Sequence, residues 1–208
     1  MEIATRGPSP RERLLATASR LFYERGFQAV GVDEISAEAG VAKMTLYRHF
    51  PSKDDLVVAY LKRSDDAFCD WFERALATER TPRAKLLAVF TALGALAQSE
   101  QCLGCTFQAS AAEYPDARHP AHRAALAHKQ EVRRRLAALA REAKLRDPDA
   151  LADQLALLMD GAWVAARMFD RASPARHVAA AAKALVEAHT VGVRRAPARR
   201  APARKGKL

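Results

Sequence analysis

The chain has 208 residues, half of them apolar, and a formal net charge of +10 at pH 7. This length can bury a core without disulfides, and an odd count of three cysteines argues against a disulfide framework. No apolar run approaches the roughly 18 residues of a membrane-spanning helix, and no secretory segment is recognisable, so we expect a soluble cytoplasmic protein.

Helices are expected throughout, because Ala and Leu dominate and β-branched residues are sparse. The first predicted helix follows Ser9, which with Pro10 and Glu12 forms a capping box with proline at the first helical position. Gly26 is suited to end it. Apolar residues recur between these points at helical spacing, at Leu14, Leu15, Ala18, Leu21 and Phe22.

Two short helices are predicted next, VDEISAEAG and AKMTLYRHF, with a turn at Gly40 between them. Helix, short glycine turn and helix form the helix-turn-helix pattern, whose second helix enters the DNA major groove. Leu46 and Phe50 should face the core. Polar and large side chains are then left outside, at Lys43, Met44, Tyr47 and Arg48, flanked by Thr45 and His49. An ordinary helical corner is the alternative, but it gives no reason to expose these groups together.

The rest of the chain predicts six more helices, and hence a nine-helix, all-α architecture. Pro51 ends the third helix and Ser52 with Asp55 caps a long fourth. Thr81-Pro82, Asp147-Pro148 and Ser173-Pro174 begin the fifth, eighth and ninth helices. A short sixth helix over 104–113 and a long seventh complete the set, and the last of the nine, over 174–190, is Ala-rich. The predicted organisation is a leader (1–8), a head (9–56), a helical body (57–190) and a tail (191–208).

The tail repeats the unit RRAPA and contains seven cationic residues and no acid: Arg194, Arg195, Arg199, Arg200, Arg204, Lys205 and Lys207. A segment of Arg, Ala and Pro cannot bury a core, so we expect disorder. It is either a solvated tail or a non-specific contact with phosphates. A largely non-specific DNA-binding protein therefore stays open as an alternative.

Residues 11–61 resemble the TetR family of bacterial transcriptional repressors, most specifically over GV..MTLYRHFPSKDDL. The resemblance implies a homodimer that binds a near-palindromic operator and is released by a small-molecule ligand. It also implies base contacts from Lys43, Met44, Tyr47 and Arg48, and phosphate contacts from Thr45, His49, Lys53 and the first turn of the second helix. The chain departs from the family at Val30-Gly31, where a Thr pair is frequent, so one phosphate contact is expected to be missing.

The same resemblance implies that the eighth and ninth helices form the dimer interface. The small residues Gly161, Ala162, Ala165 and Ala166 and the run Ala179 to Ala182 would allow close helix approach. The ligand would bind in the body. The aromatic candidates for its pocket are Phe68, Trp71, Phe107, Tyr114 and Trp163, with Phe72, Phe90 and Phe169, although aromatic residues at helical spacing are more often core.

Four potential metal ligands, Cys102, Cys105, His119 and His122, have the spacing C-x2-C-x13-H-x2-H. The histidine spacing is shorter than in zinc fingers, so we expect no metal and no cofactor. A DNA-binding sensor switched by thiol oxidation or by metal at Cys102 and Cys105 remains an alternative to inert cysteines in a helical turn.

Two other polar residues interrupt apolar stripes. His128, on the seventh helix, is interpreted as a satisfied core histidine rather than a ligand contact, and Asp160 as a salt-bridged interface residue. An enzyme with a cysteine nucleophile is not expected, because no His and acid are recognisably placed around the thiols and no glycine-rich phosphate loop is present.

Overall fold

The computed structural model describes residues 7–169 and 172–190, so the predicted tail and most of the predicted leader lie outside the described residues. Within the described ranges there are nine α-helices and no strand, which confirms the all-α prediction. The helices are α1 Pro10–Arg25, α2 Val32–Glu38, α3 Lys43–His49, α4 Lys53–Ala77, α5 Pro82–Leu96, α6 Thr106–Glu113, α7 Pro120–Glu142, α8 Pro148–Phe169 and α9 Val178–Ala188.

The helix starts follow the predicted caps. Ser9 Oγ accepts a hydrogen bond from the Glu12 amide at 3.2 Å, and Ser52 Oγ and Thr81 Oγ1 cap α4 and α5 in the same way. The Glu12 carboxylate, however, pairs with Arg63 of α4, so only the serine half of the predicted capping box forms.

The sequence predicted a single α-helix over the Ala-rich segment 174–190, and this prediction is wrong at its start. Pro174–His177 forms a 3₁₀ turn before α9 begins. Ser173 explains this turn. Its side chain accepts a hydrogen bond from the Ala175 amide, and its carbonyl accepts one from the Arg176 amide, three residues later, which is the 3₁₀ pairing.

Two hydrophobic clusters build the molecule. The head cluster is formed by α1, α2, α3 and the first half of α4. It also contains four residues from α6, its C-terminal end and α7: Phe107, Tyr114, Ala121 and Ala125. The body cluster joins the second half of α4 with α5, α7, α8 and α9. Helices α4 and α7 contribute buried residues to both clusters and therefore connect the head to the body. None of the helices in the described ranges is long and apolar enough to cross a bilayer.

Candidate DNA-binding head and ligand cavity

The turn between α2 and α3 is built on Gly40. Its φ is +61°, a left-handed conformation that glycine adopts without the steric cost of a Cβ. The Val41 amide then bonds to the Ser36 carbonyl at 3.0 Å, which closes the turn. Ile35 before the turn and Leu46 after it are both fully buried. The orientation of α3 is therefore set by core contacts on its inner face.

The outer face of α3 carries the side chains that the sequence placed there. Met44 is 70 % exposed and Tyr47 is 38 % exposed, while Leu46 and Phe50 lie in the core as predicted. The remaining predicted residues are also accessible: Lys43, Arg48 and His49 are exposed, and Thr45 and Lys53 are half-buried. All seven predicted residues are thus at least partly accessible, with Lys53 at the start of α4.

Lys43 also has a partner within the head. Its ammonium lies 2.7 Å from a carboxylate oxygen of Asp33 in the first turn of α2, and this hydrogen bond raises the pKa of Lys43. The α2 N-cap is Gly31, which supplies no side-chain hydrogen bond. For Lys43 to contact DNA, its ion pair with Asp33 would have to break. This costs little, because the pair is exposed and water screens the attraction between the two charges.

A joint between head and body centres on Glu113, at the last residue of α6. Its carboxylate accepts hydrogen bonds from the Phe27 amide at 3.1 Å and the Gln28 amide at 2.7 Å. At Gly26, which has a φ of +86°, an added Cβ would lie 2.7 Å from the same carboxylate. The backbone conformation requires glycine here, and a Cβ would in addition displace the Glu113 carboxylate from its hydrogen bonds. The sequence had assigned Glu113 no role.

Tyr114 belongs to this joint and not to the main cavity, where the sequence analysis had placed it. Its ring lies 5.8 Å from that of Phe27 and stacks at 4.3 Å on His119. Burial raises the pKa of Tyr114 to about 12. His119 in turn contacts Asp54 of α4 at 3.1 Å. The group links α6 and α7 to the first turn of α4.

A cavity of about 730 Å³ lies between α1, α4, α6, α7 and α8. Four of the predicted aromatic residues line it: Phe68, Trp71, Phe107 and Trp163. Of the other aromatic candidates, Phe72 and Phe90 are buried in the body core, and Phe169 is half-exposed. The cavity wall is mainly apolar and includes Tyr23 of α1, so it reaches the head's first helix.

His128 is the buried polar residue of this wall. Its Nδ1 lies 2.6 Å from a carboxylate oxygen of Asp65, and its ring stacks on Phe107 with centroids 3.6 Å apart. Burial lowers the pKa of His128, against the opposing effect of Asp65. The sequence predicted a core histidine whose hydrogen bonds are satisfied, and this holds for Nδ1. The residue also lines the cavity, which that prediction did not include.

The cysteines and the other histidines of the predicted metal-ligand pattern have separate roles in the structure. Cys102 and Cys105 lie in the loop before α6 and on the cavity wall, not in a helical turn as expected, and burial raises the pKa of Cys102. His119 accepts from the Ala121 amide as cap of α7, and His122 bonds the Tyr114 carbonyl at 2.8 Å. No group of three or more potential metal ligands occurs in the described ranges.

One face of α8 is apolar and exposed. Leu157 is 72 % and Met168 69 % exposed, with Val164 between them, and a Cβ added at Gly161 would meet open space. Part of the predicted small-residue surface, including Ala162, is instead buried within the chain. Asp160 forms its ion pair with Lys129 of the same chain.

Comparison with known proteins agrees with this architecture. Residues 14–60 match the family model described as bacterial regulatory proteins, tetR family. Curated relatives from Mycolicibacterium smegmatis include the HTH-type transcriptional activator FasR, 43% identical over 82 residues, and the repressor KstR2, 35% identical over 88 residues. These matches cover 39% and 40% of this chain but only 37% and 41% of the two relatives.

Two solved structures are similar over most of their length. SCO4454, a TetR-family transcriptional regulator from Streptomyces coelicolor, is 35% identical with a TM-score of 0.82, covering 86% of this chain and 95% of that one. A putative regulator from Streptomyces avermitilis, sav143, is 34% identical with a TM-score of 0.77, covering 88% and 98%. On this similarity in both sequence and fold, the chain belongs to the TetR family of DNA-binding transcriptional regulators.

Proposed function

We propose that the protein is a homodimeric, cytoplasmic repressor that binds a near-palindromic operator through α3 and leaves it when a small molecule occupies the cavity. The observation that carries the proposal is the outer face of α3. Tyr47 and Met44 are exposed there on a helix held by Leu46 from behind. Large exposed groups on a rigid helix of this size suit direct contact with base edges in the major groove.

The contacts divide by type. Lys43, Met44, Tyr47 and Arg48 would reach base edges, and Met44 can contact a thymine methyl. Thr45, His49, Lys53 and the first turn of α2 would hold phosphates, which position the head without reading sequence. Gly31 has no hydroxyl to offer at that turn.

The dimer is proposed on the exposed face of α8 together with α9. Leu157, Val164 and Met168 would be removed from water by a second copy, and Gly161 would allow close helix approach. Because a two-fold interface repeats the same patch on both copies, the two heads would meet two half-sites related by the same symmetry.

Ligand control is proposed because α1 contributes to both regions. Leu14 and Phe22 on α1 are buried in the head, while Tyr23 on the same helix lines the cavity. A ligand that binds more tightly to one position of α1 than to another would favour that position and the head orientation that goes with it. The difference between the two affinities sets how far the equilibrium shifts.

A thiol switch at Cys102 and Cys105 is the second candidate, since both residues line the cavity. Oxidation proceeds through the thiolate, however, and burial raises the pKa of Cys102, which disfavours that form. Ligand binding is therefore the preferred mechanism.

The test is selection of the purified full-length protein on random duplexes at about 150 mM salt, with sequencing of the bound fraction. We expect an enriched near-palindrome, and we expect Tyr47→Ala to reduce the enrichment. Leu157→Lys should yield monomers in analytical ultracentrifugation. Binding without any enriched sequence, and lost as salt rises, would contradict the proposal and favour non-specific DNA binding.

A further inference from the structure

The cavity wall is rich in aromatic side chains. Phe68 and Phe107 from α4 and α6 both contact His128, one edge-on at 4.8 Å and one stacked at 3.6 Å. Trp71 and Trp163 contribute two further aromatic walls. Aromatic rings favour offset or edge-on contact with other rings, so these walls favour an aromatic ligand.

The hydrogen-bonding character of His128 follows from its partner. A carboxylate can only accept, so Nδ1 of His128 must carry the proton that is shared with Asp65. The lowered pKa of His128 keeps the ring neutral near pH 7, and a neutral imidazole carries only one proton. Nε2 is therefore an acceptor, and no described group donates to it.

Three of the four charged residues that line the cavity are already in ion pairs. Arg20 forms an ion pair with Glu24 at 2.9 Å, and Lys129 pairs with Asp160. Arg74 lies at the rim with an exposed side chain, where water solvates it. A charged ligand would have to break one of these pairs or lose its own hydration in an apolar site, and a neutral ligand avoids both costs.

We infer that the effector is an uncharged aromatic compound whose hydroxyl or N–H group donates a hydrogen bond to Nε2 of His128. The inference rests on the proposed function, in which this cavity is the effector site. It names the class of ligand: phenols and neutral aromatic N–H compounds, in preference to carboxylates, amines or saturated lipids.

The experiment compares two neutral probes, 2-naphthol and 2-methoxynaphthalene, of which only the first can donate. Equilibrium dialysis against the full-length protein gives both affinities. The two tryptophans of the chain both line the cavity, so quenching of tryptophan emission reports binding at this site.

We expect the affinity ratio of 2-naphthol to 2-methoxynaphthalene to fall about 3- to 10-fold when His128 is replaced, the range for one neutral hydrogen bond. His128→Phe keeps an aromatic ring against Phe107 and loses the acceptor. His128→Leu is a second variant in case the first disturbs folding, and circular dichroism checks both. 2-Methoxynaphthalene does not use Nε2, so it serves as the reference for changes in the cavity wall, and the ratio isolates the hydrogen bond.

An unchanged ratio in both variants would overturn the inference, as would the absence of tryptophan quenching by 2-naphthol. Operator binding is measured in parallel. Release of the operator by a compound without a donor group would contradict the inference and leave the proposed function standing. Failure to select any operator would remove the proposed function, while the dialysis ratio would still decide the role of His128.

Discussion

Glu113→Ala tests whether the joint between head and body stabilises the protein. The substitution removes the acceptor of two backbone amides, those of Phe27 and Gln28. A hydrogen bond to a charged group contributes about 1.5 to 3 kcal/mol, but the Gln28 amide is exposed and water replaces part of the loss. We therefore expect the free energy of unfolding to fall by about 1 to 3 kcal/mol in total.

Thermal unfolding gives the first measurement. For a chain of this size, such a loss lowers Tm by about 2 to 12 °C. Amide hydrogen exchange gives a local measurement, because the Phe27 and Gln28 amides should exchange faster in the variant than in wild type. The matched control is Glu79→Ala, which alters an exposed glutamate between α4 and α5 and should change the unfolding free energy by less than about 0.5 kcal/mol.

Equal Tm values for Glu113→Ala and Glu79→Ala, together with unchanged exchange at both amides, would refute the reasoning. The joint would then hold through its other contacts, those of Phe27 with Tyr114 and of His119 with Asp54.

Five further variants have expected outcomes. Tyr47→Ala should weaken operator binding by about 1 to 3 kcal/mol and leave random DNA less affected, whereas Lys53→Ala should weaken both alike and reduce the salt slope by about 1; equal losses for Tyr47→Ala would remove its role in base readout. Deleting 191–208 should preserve operator preference with a smaller salt slope in binding titrations. Leu157→Lys should halve the mass in sedimentation, and an unchanged mass would place the dimer interface elsewhere. The pKa of His128 in the folded protein lies below its ordinary 6.5, so its contribution to stability is complete above pH 6.5 and is lost as the pH falls towards the folded pKa. In His128→Leu, the denaturation midpoint should therefore depend less on pH between about pH 7 and 5 than it does in wild type.

The local features of this protein could be predicted from the sequence. Ser9, Ser52 and Thr81 cap the helices that they were expected to cap, Gly40 makes the turn, and Leu46 and Phe50 turn inward. Each of these depends on residues within one or two helical turns, so a motif of a few residues carries the information. The all-α fold and the outward residues of α3 follow for the same reason.

Contacts between distant residues were decided by tertiary packing. The Glu113 carboxylate meets an amide 86 residues earlier, and His128 meets Asp65 across 63 residues. Aromatic periodicity identified four cavity residues and misplaced Tyr114, because periodicity shows that a side chain turns inward but not which helix it then faces. The protonation of His128 and the joint at Glu113 exist only once α1, α4, α6 and α7 pack together, since each needs a partner that no local sequence pattern supplies.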